Sequence, residues 1–192
     1  IMKISNLENI RIHPTAEVYT TQIGEGTMIW QFAVILPDAV LGKDCNVNAH
    51  VFIENKVTIG DRVTIKSGVY LWDGLTVEND VMIGPNVTFT NDKYPRSKNK
   101  NYQQLDTILR EGCSIGAGSI LLAGLEVGSF AMVAAGALVT KSVPNHALVL
   151  GNPAKIVGWV GYDGVPMKQN NGLWIDSNEN SWKVIDGKLS KQ

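Results

Sequence analysis

Three polar residues in the middle of the chain, Asn55, Asp73 and Asn91, stand eighteen residues apart. A carboxylate with amide partners can orient an amine by hydrogen bonds and help to remove its proton. Asn and Asp also readily cap turns by bonding to nearby backbone groups. Which role applies depends on whether the fold brings these three side chains together.

A large apolar residue recurs every six positions over most of the chain, and a mostly small or β-branched residue follows four positions after it. The large residues are Ile23, Ile29, Ile35, Leu41, Val47, Ile53, Ile59, Ile65, Leu71, Val77, Ile83 and Phe89 and, after a break, Leu109, Ile115, Leu121, Val127, Val133 and Val139. A period of six fits neither an amphipathic helix nor a hairpin. It is typical of a solenoid with short flat sides.

Three such hexads close one triangular coil, so residues eighteen apart are expected to stack at about 4.8 Å, the spacing of paired strands. Gly24, Gly42 and Gly60 follow this period and suit tight corners. We therefore predict an all-β fold, a parallel β-helix over residues 10–140, with the three polar residues on one corner. A shift of register is expected around Glu17 and Val18.

The composition limits the classes of partner. The 192 residues are 44% hydrophobic, enough for one domain with a sizeable core, and 17 basic residues nearly balance 18 acidic ones. No apolar run approaches the roughly 20 residues of a membrane span, and the first ten residues do not resemble a signal peptide. Cys45 and Cys113 are expected to be core thiols. We expect a cytoplasmic protein that binds neither nucleic acid nor membrane.

The periodicity stops in "TNDKYPRSKNKNYQQLDTILREG", residues 90–112, which predicts a protruding loop over about residues 91–108. Its basic and aromatic residues are Lys93, Tyr94, Arg96, Lys98, Lys100 and Tyr102. Such a loop can close over an anionic ligand, since arginine offers a forked donor to phosphate oxygens. A charge-rich loop can equally be plain solvated surface.

Two stretches of small residues, "GAGS" at 116–119 and "AAGA" at 134–137, stand eighteen residues apart. Stacking places Gly118 beside Gly136 and Ala117 beside Ala135. This predicts a wall with almost no side chains, against which a slender ligand can lie and bond to backbone amides. The alternative is that small residues only suit tight packing.

The hexads and two further segments resemble a known family. "VTKSVPNHALVLGNPAKIVGW", residues 139–159, is similar to the stretch with which the hexapeptide-repeat acyltransferases leave their left-handed β-helix and complete the acyl-CoA site. "IGPNVTFTNDKYPRS", residues 83–97, resembles the N-acetyltransferases that act on nucleotide-linked 3-amino sugars. The resemblance implies a left-handed β-helix, a homotrimer with active sites between subunits, acetyl-CoA as co-substrate, no metal, and a role in making surface polysaccharides such as O-antigen or S-layer glycan.

The resemblance also implies roles for single residues. As the catalytic pair, Asp73 would bind the sugar amine and Asn91 would position it for attack on the thioester, with the proton leaving through water or to the CoA thiolate. The sugar nucleotide would be bound by Asn55, Trp72, Tyr94 and Arg96, and acetyl-CoA by Gly118, Ala135, Gly136, Lys141 and Lys155. Many relatives use a histidine base, often carried by a loop, but His13, His50 and His146 all lie outside the inserted loop. His50 or His146 of a neighbouring subunit stays open as an alternative proton acceptor, with ordinary structural roles expected first.

We divide the chain into a β-helix acyltransferase domain, residues 1–160, and a C-terminal extension, residues 161–192, with a hairpin anchored by Trp174 and Trp182. The leading hypothesis is N-acetylation of a dTDP-3-amino-3,6-dideoxyhexose, with UDP-2-acetamido-3-amino-2,3-dideoxyglucuronate as the alternative substrate. A zinc enzyme like the γ-carbonic anhydrases needs histidines at ligand spacing, which this chain does not offer. A non-catalytic solenoid would have no need of the bare wall and the "NPAK" exit.

Overall fold

The computed structural model describes residues 9–192, in which short strands wind into a solenoid. The solenoid strands are β1 (Arg11–Ile12), β2 (Glu17–Val18), β3 (Met28–Ile29), β4 (Val34–Ile35), β5 (Val40–Leu41), β6 (Asn46–Val47), β7 (Phe52–Ile53), β8 (Thr58–Ile59), β9 (Thr64–Ile65), β10 (Tyr70–Leu71), β11 (Leu75–Val77), β12 (Met82–Ile83), β13 (Thr88–Phe89), β14 (Thr107–Leu109), β15 (Ser114–Ile115), β16 (Ile120–Leu121), β17 (Glu126–Val127), β18 (Met132–Val133) and β19 (Leu138–Val139). The remaining strands are β20 (Ala147–Gly151), β21 (Ala154–Trp159), β22 (Lys168–Asn170), β23 (Leu173–Ile175), β24 (Ser181–Ile185) and β25 (Lys188–Lys191).

Three parallel sheets form the faces of the solenoid. Face A runs β1-β3-β6-β9-β12-β15-β18 and continues into β20, face B runs β2-β4-β7-β10-β13-β16-β19, and face C runs β5-β8-β11-β14-β17. Each coil of the chain adds one strand to each face in turn. The fold is the left-handed parallel β-helix that the sequence predicted. Within residues 9–192, no helix has the length and apolarity needed to cross a membrane.

The register follows the predicted period. Ile53 pairs with Leu71, eighteen residues further on. Across the loop the step grows to 32 residues, from Phe89 to Leu121, so the loop adds 14 residues to one coil. At the N-terminal end Val18 pairs with Ile35, a step of 17, whereas Ile23 pairs with Leu41, a step of 18. The expected shift of register therefore lies between Val18 and Ile23.

The core is a stack of inward side chains that fills the solenoid. Every large residue of the predicted hexad series is buried, with at most 8% of its surface exposed. The residues four positions later, such as Val51 and Val69, are buried as well. Each buried aliphatic side chain contributes about 1.5–3 kcal/mol relative to its exposed state. Because side chains alternate along a strand, Tyr70 points to solvent beside the fully buried Leu71.

The glycine column has a different cause from the one predicted. Gly24, Gly42 and Gly60 do not adopt the left-handed conformation that a corner glycine often takes. Instead, a Cβ added to Gly42 would lie 2.5 Å from the backbone of Gly60 in the next coil. These positions are glycine because stacked coils approach one another too closely for a side chain.

The chain leaves the solenoid through β20, which pairs in parallel with β18, while β21 returns antiparallel along β20. The extension then forms an antiparallel sheet in the order β22-β23-β24-β25, where the sequence predicted a single hairpin. Trp182 is 4% exposed and its ring lies 5.2 Å from that of His146 at the end of the solenoid. Of residues 1–10, to which the signal-peptide prediction applies, 1–8 lie outside the described residues.

Candidate active site

The predicted polar corner exists, at the turns that follow β7, β10 and β13. These strands are neighbours in face B, so Asn55, Asp73 and Asn91 stack on successive coils at the corner between faces B and C. The corner lies directly beneath the start of the inserted loop.

Part of this polar column caps turns. Asp73 Oδ1 accepts a hydrogen bond from the Lys56 N–H at 2.8 Å, and Asn55 Oδ1 accepts one from the Asp38 N–H at 3.3 Å. Asp61, on another corner, bonds to the backbone one coil below in the same way, at 2.8 Å. Asn55 therefore has a structural partner, whereas no described residue donates to the second oxygen of Asp73, Oδ2.

Asn91 connects this corner to the loop. Its Nδ2 donates to the Asp73 carbonyl at 3.3 Å. Its own carbonyl accepts hydrogen bonds from the Leu105 N–H at 3.0 Å and from the Tyr102 hydroxyl at 3.4 Å. The loop therefore returns onto the corner from which it leaves, and places the Tyr102 phenol above it.

Glu54 is a carboxylate of this site that the sequence analysis did not single out. Its Oε2 accepts a hydrogen bond from the Asp73 N–H at 2.7 Å. Burial raises the pKa of Tyr102, and the negative charges of Asp92, Glu54 and Asp73 raise it further. With Asp106, four carboxylates lie near this phenol, which makes the corner attractive to a positively charged group such as a protonated amine.

A narrow crevice marks the corner between Trp72, Asp73 and Asn91 on one side and Leu105 on the other. Its volume of about 10 Å³ has room for about one water molecule. The Trp72 Nε1 donates to the Phe89 carbonyl at 3.0 Å, which fixes the indole at the mouth of the crevice. A ligand larger than water must therefore lie on the open side of the corner, against Trp72.

The predicted loop residues Tyr94 and Arg96 stand apart from the corner. Tyr94 is 73% exposed and lies beneath the Lys93 ammonium. Among the described residues, Arg96 Nη1 donates only to the neighbouring Pro95 carbonyl, at 2.8 Å. The loop ends earlier than predicted, because Thr107–Leu109 already form β14.

The small-residue wall lies on a different corner, between faces A and B. A Cβ added to Gly118 or Gly136 would meet nothing within 4 Å. Lower coils hold Phe32 and His50 at the same turn position, both with φ near 59°, so this backbone conformation does not itself demand glycine. Glycine at 118 and 136 suits the left-handed backbone and also leaves the surface bare.

The backbone N–H groups that this wall offers to a ligand are not those of its two glycines. The N–H groups of Gly118 and Gly136 are already bonded to the Pro85 and Ala117 carbonyls, each at 2.9 Å. The N–H groups of Ala117 and Ala135 make no hydrogen bond to any described residue. Ala117 and Ala135, rather than the two glycines, are thus the wall residues that offer backbone donors.

The two predicted lysines lie apart from the wall and from each other. Lys141 follows Val139 by two positions, as Asn91 follows Phe89, and the pairing of Phe89, Leu121 and Val139 stacks these turns. Lys141 therefore lies on the corner of Asn91, two coils above it. Lys155 is exposed on β21, opposite Leu150 at the end of the solenoid.

The histidines and cysteines lie in unrelated surroundings. His13 bonds to Thr15, His50 stacks on Phe32, and His146 packs against aromatic rings at the end of the solenoid. Among residues 9–192 no three His, Cys, Asp or Glu side chains are grouped as metal ligands. Burial raises the pKa of the Cys113 thiol to about 12, so it stays protonated and unreactive.

Comparisons with known proteins agree with this architecture. The family described as bacterial transferase hexapeptide (six repeats) matches residues 20–55, and the hexapeptide repeat of succinyl-transferase matches residues 108–141. The dTDP-3-amino-3,6-dideoxy-α-D-galactopyranose 3-N-acetyltransferase of Aneurinibacillus thermoaerophilus is 51% identical over 187 residues, 97% of each chain. The chain belongs to the hexapeptide-repeat sugar-nucleotide N-acetyltransferases.

Two solved structures share the fold of this hexapeptide-repeat N-acetyltransferase. The UDP-N-acetylglucosamine acyltransferase LpxA of Bacteroides fragilis has a TM-score of 0.65 at 16% identity, over 79% of this chain and 61% of that chain. A point mutant of AntD, an N-acyltransferase of Bacillus cereus determined with dTDP and coenzyme A, has a TM-score of 0.58 at 19% identity, over 79% and 81%.

Proposed function

We propose that this protein transfers the acetyl group of acetyl-CoA to the 3-amino group of dTDP-3-amino-3,6-dideoxygalactose. The observation that carries the proposal is the 51% identity to an enzyme of that name over 97% of both chains. In the reaction the amine nitrogen attacks the thioester carbonyl, the carbon–sulfur bond breaks, and the amine proton passes through water to the CoA thiolate. The products are the sugar acetamide and free CoA.

The corner of face B supplies the amine site. Asp73 Oδ2, which no described residue occupies, accepts an amine hydrogen, and Asn91 orients the amine from the coil above. Glu54 adds negative charge next to Asp73 and orders the Asp73 turn through its backbone hydrogen bond. Asn55 supports the turn below, and Trp72 offers its ring to the sugar.

The acetyl-CoA site uses the bare wall. Pantetheine lies along Gly118 and Gly136 and bonds to the free N–H of Ala135. Lys141 and Lys155 then meet the phosphates as mobile positive charges. No metal takes part in this scheme, because the carboxylates and backbone donors supply the polar contacts.

A homotrimer completes the site in this proposal. Within one chain the wall precedes the strands of face B and the Asp73 corner follows them, so the two lie at opposite edges of that face. A neighbouring subunit that presents its wall to this corner closes the gap. The exposed loop, with Tyr94 and Arg96, then extends over a sugar nucleotide held between subunits.

We place the reaction in the cytoplasm, where acetyl-CoA and nucleotide sugars are made. Both cysteines, Cys45 and Cys113, are free thiols, as expected of a protein in a reducing compartment. The acetylated sugar would then enter surface polysaccharides such as O-antigen or S-layer glycan.

A free-thiol assay of CoA release tests the proposal. Acetyl-CoA is offered with dTDP-3-amino-3,6-dideoxygalactose, with its gluco epimer and with UDP-2-acetamido-3-amino-2,3-dideoxyglucuronate, and the oligomeric state is measured by light scattering. We expect the highest kcat/KM for the galacto substrate, from a trimer. Thiol release only with the UDP sugar, or with none of the three from folded protein, would refute the assignment.

A further inference from the structure

A second concave surface lies on face B, below the Asp73 corner. This groove has a volume of about 280 Å³ and is lined chiefly by aromatic rings. Its rings belong to Phe32, His50, Phe52, Tyr70 and Trp72. The volume falls just below the range of about 300–1,000 Å³ typical of small-molecule pockets, which suits part of a ligand rather than a whole one.

The rings of the groove contact one another, and two of them remain about half exposed. Phe32 and His50 stack at 5.1 Å, whereas Phe52 meets Tyr70 edge to face at 6.4 Å. Phe32 is 54% exposed and Tyr70 is 51% exposed, an unusual amount of aromatic surface to leave to water. Among the residues that the structure describes, no Asp, Glu, Lys or Arg lines the groove. Its chemistry suits a flat, uncharged ring that stacks.

The position of the groove along the solenoid indicates which ring this is. Along the solenoid, the bare wall of Gly118 and Gly136 lies above the coil of Asn91, and the groove lies on the coil of Asp73 and below. In the proposed trimer, a threefold axis parallel to the solenoid gives the neighbouring subunit's wall the same height. Reacting groups must meet at the corner between them, so the remainder of each substrate extends in the opposite direction. The adenine end of CoA belongs above the corner, and the nucleotide end of the sugar substrate belongs below it.

Trp72 connects the groove to the proposed amine site, because it lines both the groove and the crevice beside Asp73. The groove reaches from the coil of Trp72 to that of Phe32, two coils or about 10 Å away at the strand spacing. In a sugar nucleotide, the amino sugar and the base are separated by a diphosphate and a pentose. A sugar held at Trp72 and Asp73 therefore leaves its base over Phe52, Tyr70 and the Phe32–His50 pair.

We infer that this aromatic groove is the subsite for the pyrimidine base of the sugar nucleotide. The inference rests on the proposed function, whose amine site fixes one end of the substrate. Base stacking on an aromatic side chain is worth about 1–3 kcal/mol by alanine substitution, which is about 5- to 150-fold in affinity.

The test uses Phe32→Ala and Tyr70→Ala, which remove exposed rings and spare the core. The matched control is Tyr19→Ala, an aromatic residue 48% exposed just outside the groove. Calorimetry measures the Kd of dTDP alone, and steady-state kinetics give KM for the sugar nucleotide and for acetyl-CoA. We expect both groove variants to raise the Kd of dTDP and the KM of the sugar nucleotide 5-fold or more, with the KM of acetyl-CoA unchanged.

Other results would separate this inference from the proposed function. Weakened dTDP binding in a protein that acetylates none of the sugars would support the subsite while refuting the reaction. Unchanged dTDP affinity in active variants would overturn the subsite alone. Dissociation of either variant into monomers would also overturn it, because the groove would then be a contact with a second copy of the chain.

Discussion

Two substitutions of Asp73 distinguish the roles of its two carboxylate oxygens, since among the described residues only Oδ1 has a hydrogen-bond donor. Asp73→Asn keeps an acceptor for the Lys56 N–H, which now lies 2.8 Å from Oδ1, but removes the negative charge offered to the amine. A hydrogen bond to a charged group is worth about 1.5–3 kcal/mol, so kcat/KM should fall about 10- to 150-fold. Stability should hardly change.

Asp73→Ala removes the backbone partner as well. Loss of that hydrogen bond should cost about 1 kcal/mol, a fall in Tm of about 2–4 °C for a chain of this size. The matched control is Asp61→Ala, which removes the equivalent 2.8 Å bond to the Lys43 N–H on another corner. It should lower Tm by a similar amount and leave the rate intact.

The assay combines calorimetric melting with CoA release at saturating acetyl-CoA and varied sugar nucleotide. The comparison of Asp73→Asn with Asp61→Ala is decisive. Asp73→Asn removes the negative charge at the proposed amine site but keeps the hydrogen bond that caps the turn, whereas Asp61→Ala removes a turn-capping hydrogen bond far from that site. Full activity of Asp73→Asn would refute the role given to Oδ2. An equal loss of activity in Asp61→Ala would mean that turn rigidity, not the amine contact, limits the rate.

Three further predictions concern the core, the wall and the extension. Val81→Ala, at an inward position 1% exposed, should lower the free energy of unfolding by about 2 kcal/mol in urea titration, and no change would contradict the hexad register. Ala135→Leu should raise the KM of acetyl-CoA at least tenfold without affecting Tm. Ser67→Leu, at the same turn position in a lower coil, should leave the KM of acetyl-CoA unchanged. Burial works to raise the pKa of Asp176, but hydrogen bonds from Trp182 and Asn180 lower it to about 2. Since this is below the unfolded value of about 3.9, its contribution to stability is complete above pH 4 and is lost as pH falls toward 2, so acid titration of Trp182 fluorescence should show a transition there that Asp176→Asn removes.

The solenoid was predictable because its signal is repeated many times. A single apolar residue such as Ile53 or Leu71 gives little information about the fold, but an apolar residue at every sixth position is compatible with only one register of stacked coils. The same period predicts from the sequence alone that Asn55, Asp73 and Asn91 stand in one column. Even the irregular first coil was located to within a few residues.

What the period does not encode was predicted less well. Glu54 reaches the Asp73 backbone through its own side-chain length and rotamer, at a separation of nineteen residues that follows no repeat. Gly42 looked like a turn glycine, whereas the cause is the backbone of the next coil, which a sequence does not display. The extension pairs its strands by long-range contacts, so the hairpin around Trp182 was expected but not its two outer strands.

The way in which the loop joins the solenoid has a consequence for how such enzymes diversify. Its 14 extra residues enter and leave within one turn, so removing residues 92–105 would join Asn91 to Asp106 and restore an unbroken coil. The buried core lies within the stacked coils, and the loop contributes no residue to it. The loop can therefore be lengthened, shortened or exchanged in evolution while the scaffold, with its column of polar corner residues, stays the same. The repeat fixes the form of the solenoid, and the loop is the part of this coil that can change without altering it.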